Sequence, residues 1–199
     1  MQRLAASGLA VEAAEPDIRG LRDTVLALRG DSYARTWEPL IDRMHTDDFT
    51  AEVMQDIQRG LTQSPALLRA AQRQRMQLQR NVTDLLQERP FFICPATQAL
   101  PFAVDTPWPQ SIDGTPLDNY IDWILIDYAW SLVACPVLAL PVGFSGAGLP
   151  VGIQVMGPPR SEAALLRFGA WIERELGSAT VPTAPRSVGA AAEAASASR

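Results

Sequence analysis

Two apolar runs, Val137 to Val142 and Val151 to Met156, flank a turn that carries Gly143, Gly146 and Gly148. Both runs are short and valine-rich, so they predict a pair of strands, with the glycines supplying backbone angles that other residues avoid. Just before this pair, Asp118 caps a predicted helix through about Ala134 whose surface is almost wholly apolar, which demands burial on most sides. Just after it, Ser161 caps a last helix in which Leu165, Gly169, Ile172 and Leu176 form a stripe, and Gly177 ends it. Strands and helices of this kind in alternation predict an α/β fold, a sheet flanked by helices.

The preceding part of the chain extends this pattern. Leu9 to Glu12 predicts a short strand leaving a sheet before Glu15 and Pro16. Asp17 then opens a helix with Ile18, Leu21, Val25 and Leu28 on one face, and Gly30 is a candidate stop. From Asp31 to Gly60 the helical pattern is weaker, with Trp37, Leu40, Phe49, Val53 and Ile57 as inward candidates. Ser64 followed by Pro65 is a strong helix start, and Leu67, Ala71, Leu78, Val82, Leu85 and Leu86 keep helical spacing to about Glu88. Phe91 to Cys94 predicts a buried strand stopped by Pro95. Ala96 to Leu117 contains four prolines and no period; it predicts a long packed loop, a type that is usually functional. Residues 1–177 are thus expected to form one folded unit. Residues 178–199, mainly alanine, serine and proline, have too little apolar surface to offset their ordering entropy and are expected to be a disordered tail.

Composition excludes several function classes. The net charge of −5 disfavours nucleic acid as a partner, because attraction to phosphates needs a positive field. Tyr120 to Phe144 is the one candidate membrane segment, yet it holds Asp122, Asp127, Pro136 and Pro141, so no membrane span is expected. Residues 1 to 14 lack the basic flank and apolar stretch of a leader, and the sequence predicts a cytoplasmic protein. Cys94 and Cys135 each sit beside a proline in apolar surroundings and are expected to be buried free thiols. His45 is the only histidine, so no metal or other cofactor is expected; the neighbouring Asp47 and Asp48 suit a solvated turn. Asn81-Val82-Thr83 matches a glycosylation triplet but falls inside a predicted helix. All 17 basic residues are arginine, so the chain contains no lysine.

Several words of the sequence occur in an order that resembles the C-terminal portion of the amidase signature family. They are Tyr128-Ala129-Trp130-Ser131-Leu132, Cys135-Pro136, Leu140-Pro141-Val142-Gly143-Phe144, Gly148 to Gln154, and Glu162-Ala163-Ala164-Leu165-Leu166; Val11-Glu12 with Pro16 resembles the family's valine-glutamate strand end. The resemblance spans about residues 8 to 176 and implies a mixed sheet flanked by helices. It also implies hydrolysis of carbon–nitrogen bonds by a serine nucleophile, a bridging serine and a lysine base, with the lysine held neutral so that it can take a proton. Neither the lysine nor a Gly-Ser-Ser run is in this sequence, and an arginine stays protonated and cannot stand in. The resemblance therefore implies no catalytic residue here, and a chain that is inactive until an N-terminal catalytic half completes it, with a small-molecule amide as substrate. It also implies a pocket wall made by Thr97, Trp123, Asp127 and Tyr128. Ile124 stands where glutamine-using members carry an acidic residue, which argues against transamidation of tRNA-bound substrates. A non-catalytic binding or scaffold module derived from the same fold is the alternative. A sheet cut from a larger one leaves an open edge and a bare apolar face, and predicts self-association.

Overall fold

The computed structural model describes residues 2–43 and 49–177. Along the chain, α1 (Gln2–Ala6) is followed by α2 (Leu21–Trp37), a 3-10 segment (Glu38–Arg43), α3 (Ala51–Thr62) and α4 (Pro65–Glu88). Next come β1 (Phe92–Pro95), a two-residue strand pair β2 (Ser111–Ile112) and β3 (Thr115–Pro116), a 3-10 helix (Tyr120–Ile124) and α5 (Leu125–Leu132). The chain then forms β4 (Val137–Phe144), β5 (Pro150–Met156) and α6 (Glu162–Leu176).

The predicted hairpin is the centre of the fold. β4 and β5 pair antiparallel, with a register irregularity between Pro141 and Gly143, and β1 adds antiparallel to the other edge of β5. The sheet order is β1-β5-β4. Because side chains alternate across a strand, the sheet feeds two cores. Ile93, Leu138, Leu140, Ile153 and Val155 pack with Leu4 of α1 and with Leu165, Phe168 and Ile172 of α6. Phe92, Cys94 and Met156 pack on the opposite face with Leu78, Val82 and Leu86 of α4, Trp130 of α5, and Leu21 and Val25 of α2. Val155 and Ile172 are fully enclosed, and each such aliphatic side chain contributes about 2 kcal/mol by leaving water. The α/β class and the helix-flanked sheet are as the sequence predicts; within the described residues every strand pairing is antiparallel.

Several local expectations are corrected. Leu9 to Glu12 is not a strand: the stretch from Leu9 to Ala14 makes no backbone hydrogen bond among the described residues. The first long helix begins at Leu21, after Gly20 in the left-handed region, because Asp17 is occupied by a bidentate pair with Arg19. Gly30 does not stop that helix. It lies in the middle of α2, where α3 crosses so closely that a Cβ on Gly60 would sit 1.9 Å from the Gly30 carbonyl oxygen. The pair of glycines serves contact between helices, not termination. β1 is half-buried rather than enclosed, since one of its edges is open.

The helix caps match the sequence only in part. Ser64 caps α4 as predicted, its Oγ accepting from Leu67 N at 3.2 Å. The segment predicted to start at Asp118 is capped by Asn119 instead, through a reciprocal capping box with Asp122. Ser161 stands at the N-cap of α6, but its hydroxyl makes no cap bond. The expected bare face exists only in part: α4 and α5 cover β1 and β5, while Val137 and Ala139 of β4 remain exposed. His45, Asp47, Asp48 and the predicted tail 178–199 lie outside the described residues.

Candidate functional site

The end of β1 turns into the proline-rich loop, and this turn and the start of β5 enclose a cavity of about 460 Å³ with Trp123 on its wall. Thr97 and Trp123, two of the four residues predicted for a pocket, line it together. Thr97 Oγ1 donates to the Ala99 carbonyl at 2.8 Å and so tightens the loop on itself. Gln98 Oε1 accepts from Ile126 N at 2.9 Å, which satisfies one of the free N–H groups in the first turn of α5 and ties the loop to that helix. Phe102 meets Trp123 edge to face, with ring centroids 5.4 Å apart.

Asp127 and Tyr128 are placed differently. Asp127 Oδ1 accepts from Gln154 Nε2 at 2.6 Å, and the same nitrogen donates to the Ala96 carbonyl at 2.8 Å. Gln154 thus clamps the root of the loop to α5 behind the cavity wall. Burial pushes the Asp127 carboxyl above its ordinary pKa, and the hydrogen bond from Gln154 offsets only part of that shift. Gly152 lies at the floor, where a Cβ would come within 3.2 Å of both Ala96 and the Leu140 carbonyl.

Tyr128 faces away from the cavity. Its hydroxyl accepts from Arg29 Nη1 at 2.5 Å. The same guanidinium donates through Nη2 to Tyr33 Oη at 2.7 Å and to Tyr120, and through Nε to Asp56 Oδ2 at 2.6 Å. Arg59 Nη1 reaches the other Asp56 oxygen at 2.6 Å. Burial opposes the charge on Arg29, yet Asp56 and the phenol oxygens hold its pKa above the ordinary value. For Tyr120, burial dominates and its phenol is pushed up to about 12. This is a satisfied polar junction that joins α2 and α3 to the segment from Tyr120 to Tyr128. It engages the Tyr128 hydroxyl as an acceptor on the side away from the cavity.

Sequence reasoning missed Gln98, Gln154, Arg29 and Asp56. Two signals were available: a glutamine amid apolar residues in a strand, and a tyrosine one helical turn after an arginine, at Arg29 and Tyr33.

The cavity is largely apolar. It is walled by proline, phenylalanine, leucine and tryptophan side chains. The enclosed Trp123 Nε1–H has no acceptor among the described residues. Burial pushes the Cys94 thiol up to about 11, which disfavours the nucleophilic thiolate, and its sulfur accepts from Trp130 Nε1 at 3.2 Å. Burial raises Cys135 as well. No group of three or more histidine, cysteine, aspartate or glutamate side chains is placed to hold a metal among the described residues. No helix among them is long and apolar enough to cross a membrane.

Comparisons with known proteins agree with this architecture. The family model described as Amidase matches residues 3–166. The chain is 30% identical over 176 residues to a putative amidase, AmiA2, of Mycobacterium tuberculosis, covering 82% of this chain and 34% of that protein. It is 34% identical over 116 residues to a subunit of the glutamyl-tRNA(Gln) amidotransferase of Anaeromyxobacter dehalogenans, over 58% of this chain and 22% of that one. A crystal structure of an amidase superposes with a TM-score of 0.79 at 23% identity, over 88% of this chain and 40% of the other. The chain spans about a third or less of the length of these curated relatives.

Proposed function

This chain belongs to the amidase signature family, and we propose that it supplies the non-catalytic portion of a hydrolase acting on the carbon–nitrogen bond of linear amides. The reacting serines and lysine come from polypeptide beyond this sequence. The observation that carries this reading is the pairing of a family match over most of the chain with the complete absence of lysine. A serine hydroxyl needs a neighbouring base to become a nucleophile, and no base of the family's type exists here. What the chain contributes is a pocket wall: an aromatic and apolar cavity at Thr97, Phe102 and Trp123, held in shape by Gln98 and Gln154.

The lining also supports an apolar or aromatic amide over a polar one, since burial of apolar surface is the main gain such a wall offers. Ile124 packs beside the core formed with α4 and α5 and presents no charge, which favours a general amidase over transamidation of tRNA-bound substrates. Asp127 and Tyr128 take the role of supports rather than contacts.

The test is complementation. The chain is co-expressed with the part of Mycobacterium tuberculosis AmiA2 that lies outside the matched segment, and ammonia release is followed with aliphatic and aromatic carboxamides. Turnover by the pair and none by the chain alone is the expected result. Turnover by the chain alone overturns the reading, and a stable pair with no turnover on any amide favours the binding-module alternative.

A further inference from the structure

A second and larger cavity, about 600 Å³, opens on the free edge of β1. One wall is β1 with its preceding residue, Phe91 to Ile93; the opposite wall is the stretch from Leu9 to Ala14. Leu85 of α4 and Phe168 of α6 also line it. These two residues belong to helices on opposite faces of the sheet, so the cavity lies between the two helical layers, in the plane of the sheet itself.

Both walls are prepared for a strand. Ala96 N donates to the Gly152 carbonyl at 3.0 Å, one step beyond the Pro95–Ile153 pair. Hydrogen-bonded pairs alternate in an antiparallel ladder, so Cys94 and Phe92 are the bonded residues of β1. Ile93 therefore turns its N–H and C=O outward, into the cavity. On the far wall, Leu9 and Val11 both pack on the α6 core while Ala10 and Glu12 are exposed. That is the period-two pattern of a strand, in a stretch with no backbone partner among the described residues.

The space between the walls has the size of the missing element. A strand residue, at a rise of about 3.3 Å, a strand spacing of about 4.8 Å and a layer spacing of about 10 Å, occupies roughly 160 Å³. The cavity then holds a strand of about four residues, the length of β1. Arg89 Nε, at the rim, is enclosed and has no acceptor among the described residues, although its Nη atoms reach Glu12 and Glu88.

Resting on the reading that the catalytic part lies on other polypeptide, we infer that this part docks by β-strand addition. An apolar strand of the complementary amidase segment enters between Leu9–Ala14 and Ile93, and extends the three-stranded sheet to five strands. Its side chains point alternately at Leu85 and Phe168, so the inserted strand is apolar on both faces. Affinity comes from main-chain hydrogen bonds to both walls.

The experiment is site-resolved amide hydrogen exchange on the chain alone, at two protein concentrations, and on the pair with the AmiA2 segment. In the chain alone, the amides of Ile93 and of Ala10 to Ala14 exchange freely at both concentrations. In the pair they slow by about 100-fold or more, as core ladder amides do. A pair that forms and releases ammonia while these amides exchange unchanged overturns strand addition and leaves the functional reading intact. Protected amides in a pair that releases no ammonia support strand addition and overturn the reading. No pair at all overturns both. Protection in the chain alone also overturns the inference: if independent of concentration the occupant is this chain's own polypeptide, and if it grows with concentration the occupant is a second copy.

Discussion

Two regions of the molecule handle polar groups in opposite ways. Where α2, α3 and the Tyr120–Tyr128 segment meet, Arg29, Asp56 and three tyrosines bond one another. Around the free edge of β1 and the proline-rich loop, Arg89 Nε and Trp123 Nε1 are enclosed without acceptors among the described residues, and Leu100, Phe102 and Val104 are exposed. A buried donor left unpaired costs about 1–3 kcal/mol. The contrast separates a junction whose guanidinium and carboxylate are paired from an edge and a loop that leave two N–H donors unpaired among the described residues.

Substitutions can break this contrast from the closed end first. Gly60→Val places its Cβ on the Gly30 carbonyl. It is expected to cost about 4 kcal/mol, read as a shift in the denaturant midpoint. Arg29→Met leaves Asp56, only 3% exposed, with Arg59 alone; a loss of about 3 kcal/mol is expected, and Arg29→Met with Asp56→Leu recovers most of it.

Arg22→Met is the intermediate case. Arg22 Nε pairs with Asp122 Oδ1 at 2.7 Å and holds that carboxyl below its ordinary pKa. A carboxylate whose pKa is lowered on folding contributes stability above its unfolded value, and that contribution fades as the pH falls through the folded one. Arg22 is partly solvated, so about 1 kcal/mol is expected at pH 7. The difference from wild type should vanish in acid, as followed by urea unfolding across pH. At the open end, Leu100→Ser with Val104→Ser should change stability by less than about 0.5 kcal/mol. The same pair of changes should reduce self-association in sedimentation.

How much of this was legible in the sequence differs by element. Local signals sufficed for α4, announced by Ser64-Pro65, for the β4–β5 hairpin with its glycine turn, and for α6, which stops at Gly177 in the left-handed region. Gly30 failed as a stop because a glycine that ends a helix and one that admits a crossing helix look alike until the partner, Gly60, is in view. The β2–β3 pair was overlooked in a segment read as loop, although Asp113-Gly114, both at positive φ, is a strong turn signal. Of the residues that the resemblance implies, Thr97 and Trp123 line one cavity, while the placements of Asp127 and Tyr128 depend on Gln154 and Arg29, distant residues that no local pattern connects to them.

The short length of β1 has a consequence for what this sheet avoids. Outward positions on its free edge alternate, so after Ile93 the next is Pro95, which has no N–H to donate. A newcomer finds a template only a residue or two long, bounded by an imino ring. Such a brief edge admits one short strand and is a poor seed for the endless stacking that long bare strands invite.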